Sequence, residues 1–179
     1  MTAQPAEPDE LDFLSFVEYA IAETTRELPD VDPVAMRLVL TLHRLTSALV
    51  YDLESAVHRP SGWSWPGFRL LFVLWLAGPL EAKRAAQLSG MSRAAVSALV
   101  NTLERDGLVS RTPAPHDRRA VRLALTETGR RRITEAYTAH NARERTWAAT
   151  LSKPERTILI GLLEKLMTGP AATEAKQRF

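Results

Sequence analysis

The sequence predicts a mainly α-helical fold with one small β-hairpin, on three observations. Apolar residues recur at three- and four-residue intervals along most of the chain. Ser, Thr or Asp opens most of these runs, and Gly or Pro closes them. Only between Leu108 and Leu125 does the period become alternating. At 179 residues the chain fits one domain with an extension.

The elements follow in order. Residues 1–32 are an acidic N-terminal extension. Its Pro-containing start is expected to be disordered, and Phe13, Phe16, Val17, Ala20 and Ile21 then mark a helix over about 10–28, ended by Pro29. Asp32-Pro33 is a capping acid followed by Pro at the first helical position. It opens a long helix, 33–58, carrying Leu38, Leu42, Leu45, Leu49 and Leu53 as one stripe, within a segment 33–62. Ser64 caps the next helix, 64–77. Its apolar residues run nearly all round, as in a buried central helix. Two short helices, 82–88 and 92–106, flank a tight turn with Gly90, and Ser92 caps the second. The latter has an apolar face of Val96, Leu99, Val100 and Leu103. Strands 108–112 and 121–125 enclose a basic tip. Thr126 starts a helix to about 149, and Ser152-x-x-Glu155 is a capping box before Leu159, Leu162, Leu163 and Leu166. Residues 171–179 are expected to fray.

Composition removes several function classes. There are no cysteines, hence no disulfides, thiolate metal sites or thiol redox chemistry. The longest apolar run, Leu70 to Ala77, is too short for a bilayer span of about 20 residues. The acidic N-terminus lacks the apolar stretch of a secretory signal, so a cytoplasmic protein with no membrane partner is expected. The net charge of +2 hides a separation: residues 1–32 hold nine acids and one Arg, whereas residues 83–132 hold eleven bases and four acids. Clustered Arg suits phosphate and guanine edges.

Helix, tight turn, helix, then hairpin is the order of a helix-turn-helix with a wing, expected over residues 63–126. The second helix turns Arg93, Ala94, Ser97, Ala98, Asn101 and Thr102 away from its apolar face. Small or hydrogen-bonding side chains let a helix approach the floor of a DNA major groove. Its N-terminal turn, from Ser92, offers backbone N–H groups to phosphate. Arg111 lies at the base of the wing. Arg118 and Arg119 stand at its tip, where guanidinium can reach a minor groove.

Leu80 to Gly129 resembles the winged-helix core of the MarR (multiple antibiotic resistance regulator) transcriptional regulators. The carrying residues are GPLEAKRAAQLSGMSRAAVSALVNTLERDGLVSR, from Gly78 to Arg111, and DRRAVRLALTETG, from Asp117 to Gly129. The flanking long helices extend the resemblance to residues 33 to about 168, with 127–170 as the C-terminal dimerisation helices. The resemblance implies a homodimer, a recognition helix over Ser92 to Asp106, and a wing in which Asp117 orients basic side chains and Arg119 enters the minor groove. It implies further a ligand site for a small aromatic or lipophilic anion, for which His43, Tyr51, Trp63, Trp65, Phe68 and Arg69 are the candidate lining. It implies nothing about residues 1–32. A repressor binding duplex DNA at an inverted repeat is the expected function.

Other classes find less in the residues. His43, His58, His116 and His140 are scattered and sit in no nucleophile motif, so no enzyme is expected. A zinc site needs clustered ligands, and His58 and His116 are read as lying on separate loops, which leaves such a site unsupported; no cofactor or metal is expected. A helical dimerisation module that does not bind DNA is the alternative, against which the basic recognition face stands.

Overall fold

The computed structural model describes residue 12 and residues 15–113 and 121–177. The chain divides into two compact units after Asp52.

The first unit contains α1 (Ser15–Glu27) and most of α2 (Pro33–Leu53). Asp12 caps α1: its Oδ1 accepts from the Ser15 N–H at 2.7 Å. Val17 and Ile21 are buried. Glu18 takes both arms of the Arg37 guanidinium, the second at 2.7 Å, and Arg44 lies over the Phe16 ring at 4.8 Å. The acidic helix is therefore tied to α2 by an ion pair and a cation–π contact. Asp32 caps α2 as expected, accepting from the Val34 and Ala35 N–H groups at 2.9 and 3.0 Å. The last turn of the expected 33–58 helix widens into a π-helical turn over Glu54–His58.

The second unit is built round α3 (Trp65–Ala77). Ser64 caps it by accepting from the Gly67 N–H at 3.3 Å. Phe68, Leu70, Leu71 and Leu74 are buried, as a central helix requires. They meet Ala85 and Ala86 of α4 (Ala82–Ser89), Val96, Val100 and Leu103 of α5 (Arg93–Arg105), and Ile133 of α6 (Glu127–Ala148). The strands β1 (Leu80–Glu81), β2 (Val109–Pro113) and β3 (Val121–Leu125) form an antiparallel sheet in the order β1-β3-β2. Arg111 stands opposite Leu123 in β2–β3, and Leu80 opposite Leu123 in β1–β3. The sequence predicted the hairpin; β1 is an addition.

The Leu125-Thr126-x-x-Gly129 corner joins the wing to α6. Thr126 Oγ1 donates to the Gly107 carbonyl at 2.7 Å and accepts from the Gly129 N–H at 2.9 Å. Gly129 sits so close to the backbone just before β2 that a Cβ there would stand 2.0 Å from the Leu108 carbonyl oxygen. Only glycine permits this approach. In α7 (Lys153–Thr168), Glu155 accepts from the Ser152 N–H at 2.7 Å, the expected capping box. The Ser152 hydroxyl, and after it the Ser152 N–H, holds the Glu155 carboxyl below its ordinary pKa. Where the sequence suggested fraying, α8 (Pro170–Gln177) continues the chain. Pro170 starts it without needing an N–H partner.

Candidate nucleic-acid interface

The turn between α4 and α5 is fixed on both sides. Gly90 takes φ 63°, and its N–H and that of Met91 return to the α4 carbonyls of Gln87 and Ala86. The Ser89 hydroxyl is buried and donates to Ala85 O at 2.7 Å. Arg69 reaches from α3 and donates to the Ser89 carbonyl. Ser92 Oγ then accepts from the Ala95 N–H at 3.1 Å, capping α5.

With that geometry α5 turns two faces in opposite directions. Val96, Val100 and Leu103 are buried, whereas Arg93, Ala94, Ser97, Ala98, Asn101 and Thr102 are exposed. The exposed side carries small or hydrogen-bonding groups, and Lys83 and Arg84 of α4 are exposed as well. Arg111, on the wing strand, donates to Asn101 Oδ1 at 2.5 Å and pairs with Glu104 at 3.1 Å. A crevice of about 300 Å³ separates α5 from the hairpin, bordered by Ser97, Asn101, Arg111, Val121 and Leu123. Asp117, Arg118 and Arg119, expected at the wing tip, lie outside the described residues.

The six residues expected to line a ligand site are distributed differently. His43 and Tyr51 are exposed on α2 in the first unit. Trp65 and Phe68 come together on α3, ring centroids 6.0 Å apart. Arg69 is committed to the helix-turn-helix through Ser89. Trp63 is buried beneath the Arg132 guanidinium, 5.2 Å from its centroid, and borders a separate cavity of about 390 Å³ with Pro60, Ser61 and Glu135.

Sequence reasoning missed a buried histidine pair. His58 Nε2 and His140 Nδ1 are 3.1 Å apart, and the two residues are 0% and 4% exposed. Phe68 stacks on both, at 4.2 and 4.5 Å, and Trp65 stacks on His58 at 5.3 Å. His140 Nε2 lies 3.2 Å from Glu144 Oε1. A carboxylate only accepts, so His140 carries its proton on Nε2 and presents a bare Nδ1. His58 must then donate from Nε2, which leaves its own Nδ1 as a buried lone pair; that atom finds no partner among the described residues. Burial, then the neighbouring His140, pushes His58 down to about 4 against the opposing pull of Glu54. Burial also lowers His140, which Glu144 counteracts. The only sequence signal is the position of His140 on the buried Ile133–Ala136 face. Among the described residues no cluster of three or more His, Asp or Glu suits a metal ion, and no helix is long and apolar enough to cross a membrane.

A buried-core helix-turn-helix, an exposed polar recognition helix and a β-wing define a winged-helix, DNA-binding transcriptional regulator. Comparison narrows the class. The MarR family model matches residues 62–120. An uncharacterized HTH-type transcriptional regulator, YwaE of Bacillus subtilis (strain 168), is 33% identical over 132 residues, covering 74% of this chain and 77% of its own. The chain belongs to the MarR family. Two solved structures share the fold. A mutant MarR from E. coli complexed with operator DNA has a TM-score of 0.69 at 19% identity, covering 80% of this chain and 97% of its own. BpsR of Bordetella bronchiseptica, whose DNA binding is regulated by 6-hydroxynicotinic acid, has a TM-score of 0.67 at 21% identity, covering 73% and 98%.

Proposed function

We propose that this regulator is a homodimeric repressor that binds an inverted-repeat operator and blocks transcription by occupying it. The observation that carries the reading is the exposed face of α5, where Arg93, Ala94, Ser97 and Asn101 stand back to back with a buried apolar face. In this reading those side chains enter the major groove, and the first turn after Ser92 meets phosphate through backbone N–H groups. Arg118 and Arg119 follow the wing into the adjacent minor groove, with Asp117 orienting them. Two-fold symmetry sets the recognition helices about 34–36 Å apart.

The test is a titration of duplex DNA from upstream of the protein's own gene at several salt concentrations. If 6–10 phosphates are contacted, affinity falls on the order of 10³-fold or more between 50 and 200 mM salt. Binding that ignores salt, or that no duplex elicits from the folded protein, sinks the reading.

A releasing effector is the second reading, favoured by the cavity beside Trp63. An indole face and the Arg132 cation suit a small aromatic or lipophilic anion. The compound that regulates BpsR is of that chemistry. Of the other expected lining residues, Trp65, Phe68 and Arg69 join this site only if ligand binding draws them from their present contacts, whereas His43 and Tyr51 are exposed on α2.

A further inference from the structure

Arg111 would ordinarily be assigned to phosphate, as a cation at the base of a wing. Its contacts argue for another role. Nη2 donates to Asn101 Oδ1 at 2.5 Å, and Nη1 lies 3.1 Å from Glu104 Oε2. Each arm of the fork thus engages α5, one through a carboxamide and one through a carboxylate. The carboxylate offsets the charge that phosphate would otherwise meet.

The carboxamide is the informative partner. Its two ends are nearly alike in shape, and their assignment normally rests on hydrogen bonding. A guanidinium has donors only, so the end facing it must be the oxygen. The Nδ2 end, with its two N–H donors, is then left for whatever lies over the exposed face of α5. Asn101 stands one turn beyond Ser97 on that face and borders the same crevice between α5 and the wing. Glu104 braces Arg111 from the next turn, so the amide is held from outside its own helix turn.

We propose that Arg111 is a positioning residue that acts through Asn101: it fixes the carboxamide oxygen-inward, so that α5 presents a hydrogen-bond donor at this position to an acceptor on DNA. This rests on the reading that α5 enters DNA. The acceptor is an oxygen or ring nitrogen from one of two sources, a phosphodiester or a base edge such as guanine O6/N7 or thymine O4.

The experiment compares full-length wild type with Asn101→Asp, Asn101→Ala, Arg111→Met and the double variant Asn101→Ala/Arg111→Met. Each is titrated with the operator at four salt concentrations and passed through selection from a randomised duplex pool. Thermal melts accompany every variant, and both sites are exposed. Asn101→Asp keeps the partner of Arg111 but turns an acceptor outward. It is expected to lose at least tenfold in affinity with an unchanged melting temperature. Arg111→Met is expected to weaken binding several-fold without reducing the salt slope. The double variant should bind no worse than Asn101→Ala alone. Loss spread evenly over all sequences identifies a phosphodiester partner; loss confined to sequences with guanine or thymine at one position identifies a base edge.

The proposal is overturned if Asn101→Asp binds within twofold of wild type. It is also overturned if Arg111→Met lowers the slope of log affinity against log salt by about 0.9, the value for one direct phosphate contact. Multiplying effects in the double variant overturn it as well. Failure of the wild type itself to bind any duplex would instead remove the DNA reading beneath it.

Discussion

At His58 a bare nitrogen in an aromatic stack determines how the fold answers acid. The folded His58 sits at about 4 and the unfolded side chain at 6.5. Between those values the unfolded chain binds the extra proton, so stability is complete above pH 6.5 and is lost as pH falls toward 4. A shift of this size corresponds to about 3 kcal/mol, at a slope approaching 1.4 kcal/mol per pH unit. His140 is lowered in the same direction and adds to the loss. Urea unfolding of wild type at pH 7 and pH 4.5 should show the fall. His58→Phe keeps a ring in the stack and removes its titration, so it should flatten the profile. It should also cost about 1–3 kcal/mol at pH 7, because His140 Nδ1 loses its donor. Equal pH slopes in wild type and variant would mean that His58 does not supply the pH dependence. No sequence reading could have joined these residues, which are 82 positions apart. The caps at Ser64, Ser92, Thr126 and Ser152 were legible because each one's defining bond closes within three residues.

At the scale of elements, locality again separates what sequence reveals from what it hides. Helices α3 and α5 announce themselves by apolar pattern and cap, and α6 by its Thr126 cap. The strand β1 is two residues long and exists because β3 offers it an edge, a non-local condition. The exposed face of α5 was legible from its period alone, but the Arg69 contact was not. A guanidinium beside Trp63, Trp65 and Phe68 in sequence suggested a ligand site. Helical geometry instead sends it to the far end of α4, where a cation also suits the carbonyl end of a helix dipole. Arg69→Ala should therefore act on the helix-turn-helix. Ser89 is buried, and leaving its carbonyl without this donor should cost about 1–3 kcal/mol. DNA affinity should fall with the salt slope kept, because no phosphate contact is lost. Arg69→Lys should recover part of both. The measurement is a melt paired with a DNA titration. An Arg69→Ala protein with wild-type stability and affinity would free Arg69 for the effector reading.

The whole molecule carries apolar surface that one chain leaves uncovered. In α7, Ile158, Leu159, Ile160, Leu162, Leu166 and Met167 are exposed, and the helix has no buried residue at all. In the first unit, α2 exposes Val34, Leu38, Val39, Leu45 and Tyr51. At sixteen residues α7 is barely longer than the about 12–15 residues below which isolated helices are marginal in water, so its stability must come from packing an apolar face. The proposed two-fold self-association would cover such faces with their own copies. The expected species in sedimentation at micromolar concentration is a dimer, and its melting temperature should rise with protein concentration. Leu162→Glu together with Leu166→Glu should place charge in that interface and lower both the dimer fraction and DNA affinity. The acidic helix α1 belongs to the same scale. Residues 1–32 carry nine acids, which phosphate repels, while Glu18 and Phe16 hold α1 on α2. Deleting residues 1–30 should lower the melting temperature and leave DNA affinity equal or higher. A stable monomer of about 20 kDa would overturn the dimer. A deletion that abolished DNA binding while sparing stability would mean that α1 serves the operator and not the fold.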